Sequence, residues 1–365
     1  MPALGRIARG PYLLTPFIPV AIALELGHAS DAAVFITAAL GIIPTAALMS
    51  EATQELATRA GPGIGGLLNV TFGNAPELII ALFALGDGLQ EVVKAALVGS
   101  IAGNVLLVLG AAMLLGGLGR QKQTFSVTTA SAQTSMLLLA AAALFMPAVF
   151  ALVEGNGLPS AGATRLDFSA EVEHLSLAVA LVLGVTYIAG LVFSLHTHRD
   201  LFNPKYEDEG AAGWSVRRSV ALLALAGAAV GVMSEIMVGS ISAASHSLGL
   251  SEFFIGAIVV AIVGNAAEHW VAVAVAMKDK MDLAVNIAIG SSTQVALFVA
   301  PVLVIVSFFL GPFPMALVFN GFELGAVLLT VLIANYVTNE GESNWFEGFQ
   351  LLAVYAILGI AFFYA

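Results

Sequence analysis

The chain has 365 residues, of which 59% are hydrophobic and only 10% charged, and its mean hydropathy is +0.97, whereas an ordinary soluble domain carries about 25% charged residues. This composition leaves no appreciable soluble domain and reads as an all-α, polytopic membrane protein. A formal net charge of −11 offers no nucleic-acid surface, and zero Cys excludes disulfides, thiolate metal sites and a cysteine nucleophile.

Apolar runs long enough to cross a hydrocarbon core about 30 Å thick recur along nearly the whole length. They predict eleven spans. The first two cover roughly residues 11–27 and 31–58, and the first, with Pro11, Pro16 and Pro19 and no small-residue cleavage site, is read as a span and not as a removable signal. The third to sixth fall near 62–86, 91–117, 127–152 and 172–197. A polar connection with the run Lys205 to Gly210 follows, and the last five spans lie near 215–244, 252–277, 281–310, 313–337 and 345–365. With the N-terminus in the cytoplasm, eleven basic residues fall on that side, and only Lys94 and Arg165 face out, which accounts for all 13. The bias sets that orientation and puts the C-terminus outside. Short termini point to a prokaryotic inner (plasma) membrane, with the bilayer as the surrounding partner; a homo-oligomer is compatible with the chain.

Two segments repeat. Gly-Asn-Ala-Pro-Glu (Gly73 to Glu77) returns as Gly-Asn-Ala-Ala-Glu (Gly264 to Glu268) at an offset of 191, and Gly99-Ser100 returns as Gly290-Ser291 at the same offset. Met49-Ser50-Glu51 pairs with Met233-Ser234-Glu235 at 184. The repeated spans are the third and eighth, five crossings apart, so the copies enter the membrane from opposite faces. Inverted repeats of this kind are a hallmark of secondary transporters, with the substrate near the midplane. The predicted organisation is an extra N-terminal helix (1–30), a first five-helix inverted repeat (31–197), a cytoplasmic connecting loop (198–214) and a second five-helix repeat (215–365).

A glutamate at membrane depth costs a few kcal/mol and is by default a functional group; here two stand in matched contexts. Gly73 weakens its helix, Asn74 supplies an amide, and Pro76 removes a donor, freeing carbonyls about one turn earlier. Each glutamate follows its glycine by four residues, which stacks carboxylate and glycine carbonyl on one helix face. Carboxylates with carbonyl and amide oxygens suit calcium, which takes six to eight hard oxygen ligands. When the cation leaves, two neighbouring acids in low dielectric cannot both stay ionised, so proton uptake becomes the alternative to cation binding.

The stretch Gly65 to Ile80 (GGLLNVTFGNAPELII), with Gly264 to His269 (GNAAEH), Lys278 to Asp282 (KDKMD) and Gly290 to Gln294 (GSSTQ), closely resembles the calcium/proton antiporters, the cation/proton exchanger branch of the calcium/cation antiporters. The resemblance covers most of the chain. It implies exchange of cytoplasmic Ca2+ for external H+ by alternating access, with no cofactor beyond the transported ions. Glu77 and Glu268 are then the central ligands, aided by the backbone of Gly73 and Gly264, with Asn74 and Asn265 shaping broken helices. It also implies that Glu51 and Glu235 lie near the cytoplasmic entrance. Ala75 and Ala266 stand where the related sodium/calcium exchangers carry hydroxyls, which favours protons over sodium.

Other readings stand beside these. Glu77 and Glu268 could be structural acids, and the glycines packing surfaces. Glu51 and Glu235 could be acids snorkelling from span ends. His269 is a proton relay or a satisfied interior histidine. Ser100, Asn104, Ser291 and Gln294 either hydrogen-bond the ligands or join spans. Glu323 has no assigned role. Coupling to sodium or potassium is the rival within transport; a hydrolase with paired carboxylates is the rival outside it, but no water-activating dyad accompanies the acids.

Overall fold

The computed structural model describes residues 10–155, 157–161, 168–197 and 213–365, without the side chains of residues 61–63 and 70. The predicted polar run Lys205 to Gly210 and Arg165 lie outside the described residues. Helices follow one another along the described chain: α1 (Phe17–Leu26) after a short 3-10 turn (Pro11–Leu14), α2 (Asp31–Gly73), α3 (Ala75–Gly86), α4 (Gln90–Gly117), α5 (Val127–Val153) and α6 (Ala170–Thr197). Then come α7 (Val216–Gly239), α8 (Ile241–Leu248), α9 (Glu252–Ala276), α10 (Met281–Ser307), α11 (Gly321–Val337) and α12 (Trp345–Tyr364). Two-residue strands β1 (Gln123–Thr124) and β2 (Glu342–Ser343) pair antiparallel.

Among the described residues, eight helices are long and apolar enough to cross a membrane, and the pair Ile64–Gly73 and Ala75–Gly86, bent by 42°, makes a ninth. Two shorter apolar helices, Pro11–Leu26 and Gly321–Val337, complete the eleven spans. α2 holds 43 residues, about 64 Å of straight helix and twice what a bilayer needs. It does not run straight. A Cβ added to Gly65 would stand 2.3 Å from the Ala57 carbonyl oxygen, while residues eight apart in a straight helix are about 12 Å apart. The chain therefore turns back on itself between Ala57 and Gly65, which separates the second span from the third.

The fold divides into two compact units, each drawing on both halves of the sequence. Unit 1 takes the described parts of Met1–Phe83 and Thr186–Leu248, with Val263–Ala267. In it α2 and α7 pack lengthwise, and Met49, Ala75, Ala226 and Val230 form a buried cluster. Unit 2 takes the described parts of Ala84–Val185, Gly249–Ile262 and Glu268–Ala365. Its central contact is between α4 and α9: a Cβ on Gly99 would lie 1.9 Å from the Ala257 carbonyl oxygen, and one on Gly256 would lie 2.7 Å from that of Val92. Only glycine admits backbones this close. The inverted repeat is visible inside unit 2, where Ser292 Oγ donates to the carbonyl of Ile101 at 3.3 Å. These two residues differ by 191, so repeat-equivalent positions touch, as they do only on a pseudo-two-fold axis.

The tenth span departs from expectation. Its helix begins at Gly321, not near 313, because residues 314–320 are non-helical, and 315–320 are also buried. Backbone at membrane depth must find partners within the protein, and here side chains supply them. Ser307 Oγ accepts from Met315 N (2.7 Å) and Ser176 Oγ from Leu317 N (3.0 Å). Gln90 donates to Phe313 O (2.6 Å) and Lys94 to Val318 O (2.7 Å). Glu323, the acid without a role in the sequence, closes a capping box: its Oε2 accepts from Asn320 N (2.7 Å) while its own N–H donates to Asn320 Oδ1 (2.9 Å). Lys94, expected at the outer surface, is instead 1% exposed and paired with Glu91 at 2.6 Å.

Asp279, within the Lys278 to Lys280 cluster, adopts a left-handed backbone (φ 63°) at the end of α9 and accepts from Gln123 at 3.2 Å, with Arg120 at 3.6 Å. The cluster is thus tied to the segment that follows α4.

Two outcomes follow. Gly99→Ala forces α4 and α9 apart and should cost about 3 kcal/mol or more, read as a lost or strongly lowered thermal transition in detergent. At the capping box, Glu323→Gln keeps an acceptor for Asn320 N and should unfold near the native temperature, whereas Glu323→Ala orphans a buried N–H and should lose about 1–3 kcal/mol.

Candidate functional site

The first motif breaks its helix as its residues require. α2 ends at Gly73, Asn74 sits at the junction with φ −92° and ψ 11°, and α3 restarts at Ala75 with Pro76 in its first turn, where no N–H is needed. Glu77 also lies in that first turn, where the exposed N–H groups and helix dipole favour an anion. Asn74 and Glu77 are both buried, at 1% and 5% exposure.

The echo behaves differently. α9 runs through Gly264 and Asn265 without a break, which corrects the expectation that Asn265 shapes a broken helix. The reason is local: Ala267 stands where the first copy has Pro76, so no donor is lost. The irregularity is displaced to the π-helical stretch Ile255–Val260. π-helical turns also interrupt α4 at Gly103–Val108 and α10 at Val295–Val299, repeat-equivalent positions at the 191 offset. Such bulges favour functional sites, and no pattern in the apolar sequence announces them.

Within unit 1 the two motifs meet. A Cβ on Gly264 would stand 3.4 Å from Glu77 Cα and 3.5 Å from its Cβ, with Ile80 at 3.6 Å. The glycine of the second copy therefore packs on the acid of the first. Asn265 is buried beside it in the sequence, and Gly73 is half-buried.

Within unit 2, Ser291 Oγ donates to Glu268 Oε2, and Asn104 Oδ1 pairs with His269 Nε2 at 3.2 Å. His269 is thus tied to the π-helical turn of α4. Asn104 is 1% exposed and its Nδ2 has no partner among the described residues. Ser100 is buried in α4, and Gln294 is half-buried just before the π-helical turn of α10. The serine on Glu268 revises the argument from missing hydroxyls: Ala266 supplies none, but α10 does. The sequence signal for it was the Ser100/Ser291 match at the 191 offset.

Glu51 and Glu235 are exposed on α2 and α7. Glu51 Oε2 accepts from the Tyr12 hydroxyl at 2.5 Å, a partner the sequence did not suggest. Glu55, one turn on, accepts from Trp214 N at 3.1 Å.

A family model described as sodium/calcium exchanger protein matches residues 30–196 and 218–364. The chain belongs to the sodium/calcium exchanger family. Among members of that family, it is 44% identical over 366 residues to a Ca2+/H+ antiporter of Aphanothece halophytica, covering 95% of this chain and 94% of that one. It is 43% identical to the Ca2+/H+ antiporter ChaA of Bacillus subtilis, covering 96% and 97%. The solved structure of native YfkE superposes with a TM-score of 0.83 at 38% identity, over 97% of this chain and all of the other. A crystal structure of the H+/Ca2+ exchanger CAX shares the exchanger fold at a TM-score of 0.72 and 15% identity, covering 96% and 88%.

Ser291→Ala removes the hydroxyl from Glu268 without touching the backbone. The half-saturating Ca2+ concentration of transport should fall several-fold, the scale of one hydrogen bond to a charged group, because a cation then displaces no donor from the carboxylate, with thermal stability in detergent unchanged.

Proposed function

We propose that the protein exchanges cytoplasmic Ca2+ for external H+ by alternating access, with Glu77 and Glu268 binding either the cation or protons. The observation that carries this reading is the packing of Gly264 on Glu77, since it joins the two inverted copies at the acid of one. Relatives at 43–44% identity over nearly the full length bear the name Ca2+/H+ antiporter, which favours protons as the counter-ion. The donors fit: carboxylates, buried amides and carbonyl oxygens near a helix break are hard oxygen ligands of the kind calcium takes. Among the described residues no group of three or more His, Cys, Asp or Glu converges, so further ligands come from the backbone of Gly73 and Gly264 and from Asn74 and Asn265.

Ser100, Ser291, Asn104 and Gln294 support the acids, and His269, held by Asn104, sits on the proton side of the cycle. The protein is a carrier and not a hydrolase. Residues 31–197 and 215–365 are the repeat units, 1–30 the added helix and 198–214 the connection. The N-terminus lies in the cytoplasm and the C-terminus outside, in a prokaryotic inner membrane.

The test is Ca2+ uptake into everted vesicles under an imposed pH gradient. Wild-type uptake should collapse when the gradient is dissipated and should not require sodium. Glu77→Gln with Glu268→Gln should abolish it at native expression level. Undiminished uptake by that double variant would overturn the mechanism, and sodium-dependent flux without a pH gradient would transfer the coupling to sodium.

A further inference from the structure

The geometry of unit 1 places Glu51 and Glu235 on opposite sides of a pseudo-two-fold axis. Gly41 on α2 faces Met233 on α7, whose Sδ would lie 2.9 Å from an added Cβ. The two helices are antiparallel, being five crossings apart, and their equivalent residues differ by 184. Carried four residues further along α2 and four back along α7, the register of that contact pairs Thr45 with its own equivalent, Ala229. That pair marks the pseudo-two-fold axis, which in an inverted repeat lies in the membrane midplane. Glu51 and Glu235 each stand six residues beyond it, in opposite directions, so each lies about 9 Å from the midplane, on opposite sides. They cannot share one entrance, which replaces the expectation that both lie near the cytoplasm. Both are exposed, and an ionised carboxylate at that depth does not face lipid.

The two positions are not equivalent. Glu51 is tied to the Tyr12 hydroxyl at 2.5 Å, and Tyr12 belongs to the short 3-10 turn ahead of α1. α1 packs on α2, with Ile18 against Gly41, and holds the phenol in place. The first helix lies outside the repeat, and among the described residues no hydrogen bond to Glu235 matches that of Tyr12 to Glu51. A phenol donating to a carboxylate makes a charge-assisted hydrogen bond, and a cation approaching Glu51 must displace it.

We propose that Tyr12 is a positioning residue that sets the cation affinity of one face, by holding Glu51 away from the cation until the phenol is displaced. The proposal rests on the Ca2+ transport reading, but its readout is a difference between faces.

The test compares Tyr12→Phe with wild type in everted and in right-side-out vesicles, with Ca2+ as the probe. On the face that carries the N-terminus, half-saturation should fall about fivefold to tenfold, the scale of one charge-assisted hydrogen bond, with maximal rate changed less than twofold. On the other face it should not move. In a Glu51→Gln background the effect of Tyr12→Phe should disappear. An equal shift on both faces, no shift on either, or persistence of the effect in the Glu51→Gln background would overturn the proposal. Failure of the Glu77 and Glu268 reading would appear separately, as uptake by their double variant.

Discussion

Hydrocarbon offers no hydrogen bonds, and this one constraint sorts nearly every polar residue in the protein. Where the backbone leaves the helix at 313–320, five side chains from α4, α6, α10 and α11 are consumed in satisfying it. Lys94, counted as a topology charge in the sequence, and Glu323, without a role there, belong to that group. In unit 1, Glu77 lies instead beside the helix break after Gly73; in unit 2, Ser291 is held by Glu268 and Asn104 by His269, near the π-helical turns of α4 and α10.

Much of this was legible in the sequence, because hydrophobic length and a constant offset survive translation into structure. The spans, the repeat and the motif carry such signals: eleven apolar runs, a 191-residue register, and a Pro that must end a helix. The capping box was legible too, as Asn320 followed at three residues by Glu323, but it sat in an apolar run and was read as helix. Other features left no trace. π-helical turns preserve composition and merely shift register. Lys94 contributes to the charge bias like any loop lysine while its ammonium is buried against a carbonyl.

The two motif copies show how a duplicated sequence diverges in shape. Ala75 and Ala266 are equivalent, and so are Glu77 and Glu268, yet one copy breaks its helix and the other does not, because of a single Pro-to-Ala difference at Pro76 and Ala267. A broken helix frees carbonyls at the junction; an intact one keeps them engaged. The acids are thus partnered differently: Glu77 sits at a helix start, and Glu268 takes a serine hydroxyl.

The contact of Ser292 with Ile101 has a mechanical consequence. Residues on a pseudo-two-fold axis are exchanged with each other when an inverted repeat swaps the conformations of its halves, so such a swap returns this contact to itself. Elements far from the axis must trade shapes, while α4 and α10 need not separate at this point. The glycine contact of α4 with α9, closer than any side chain allows, adds stiffness to the same unit. Unit 2 therefore carries its own fulcrum, where α4 meets both α9 and α10.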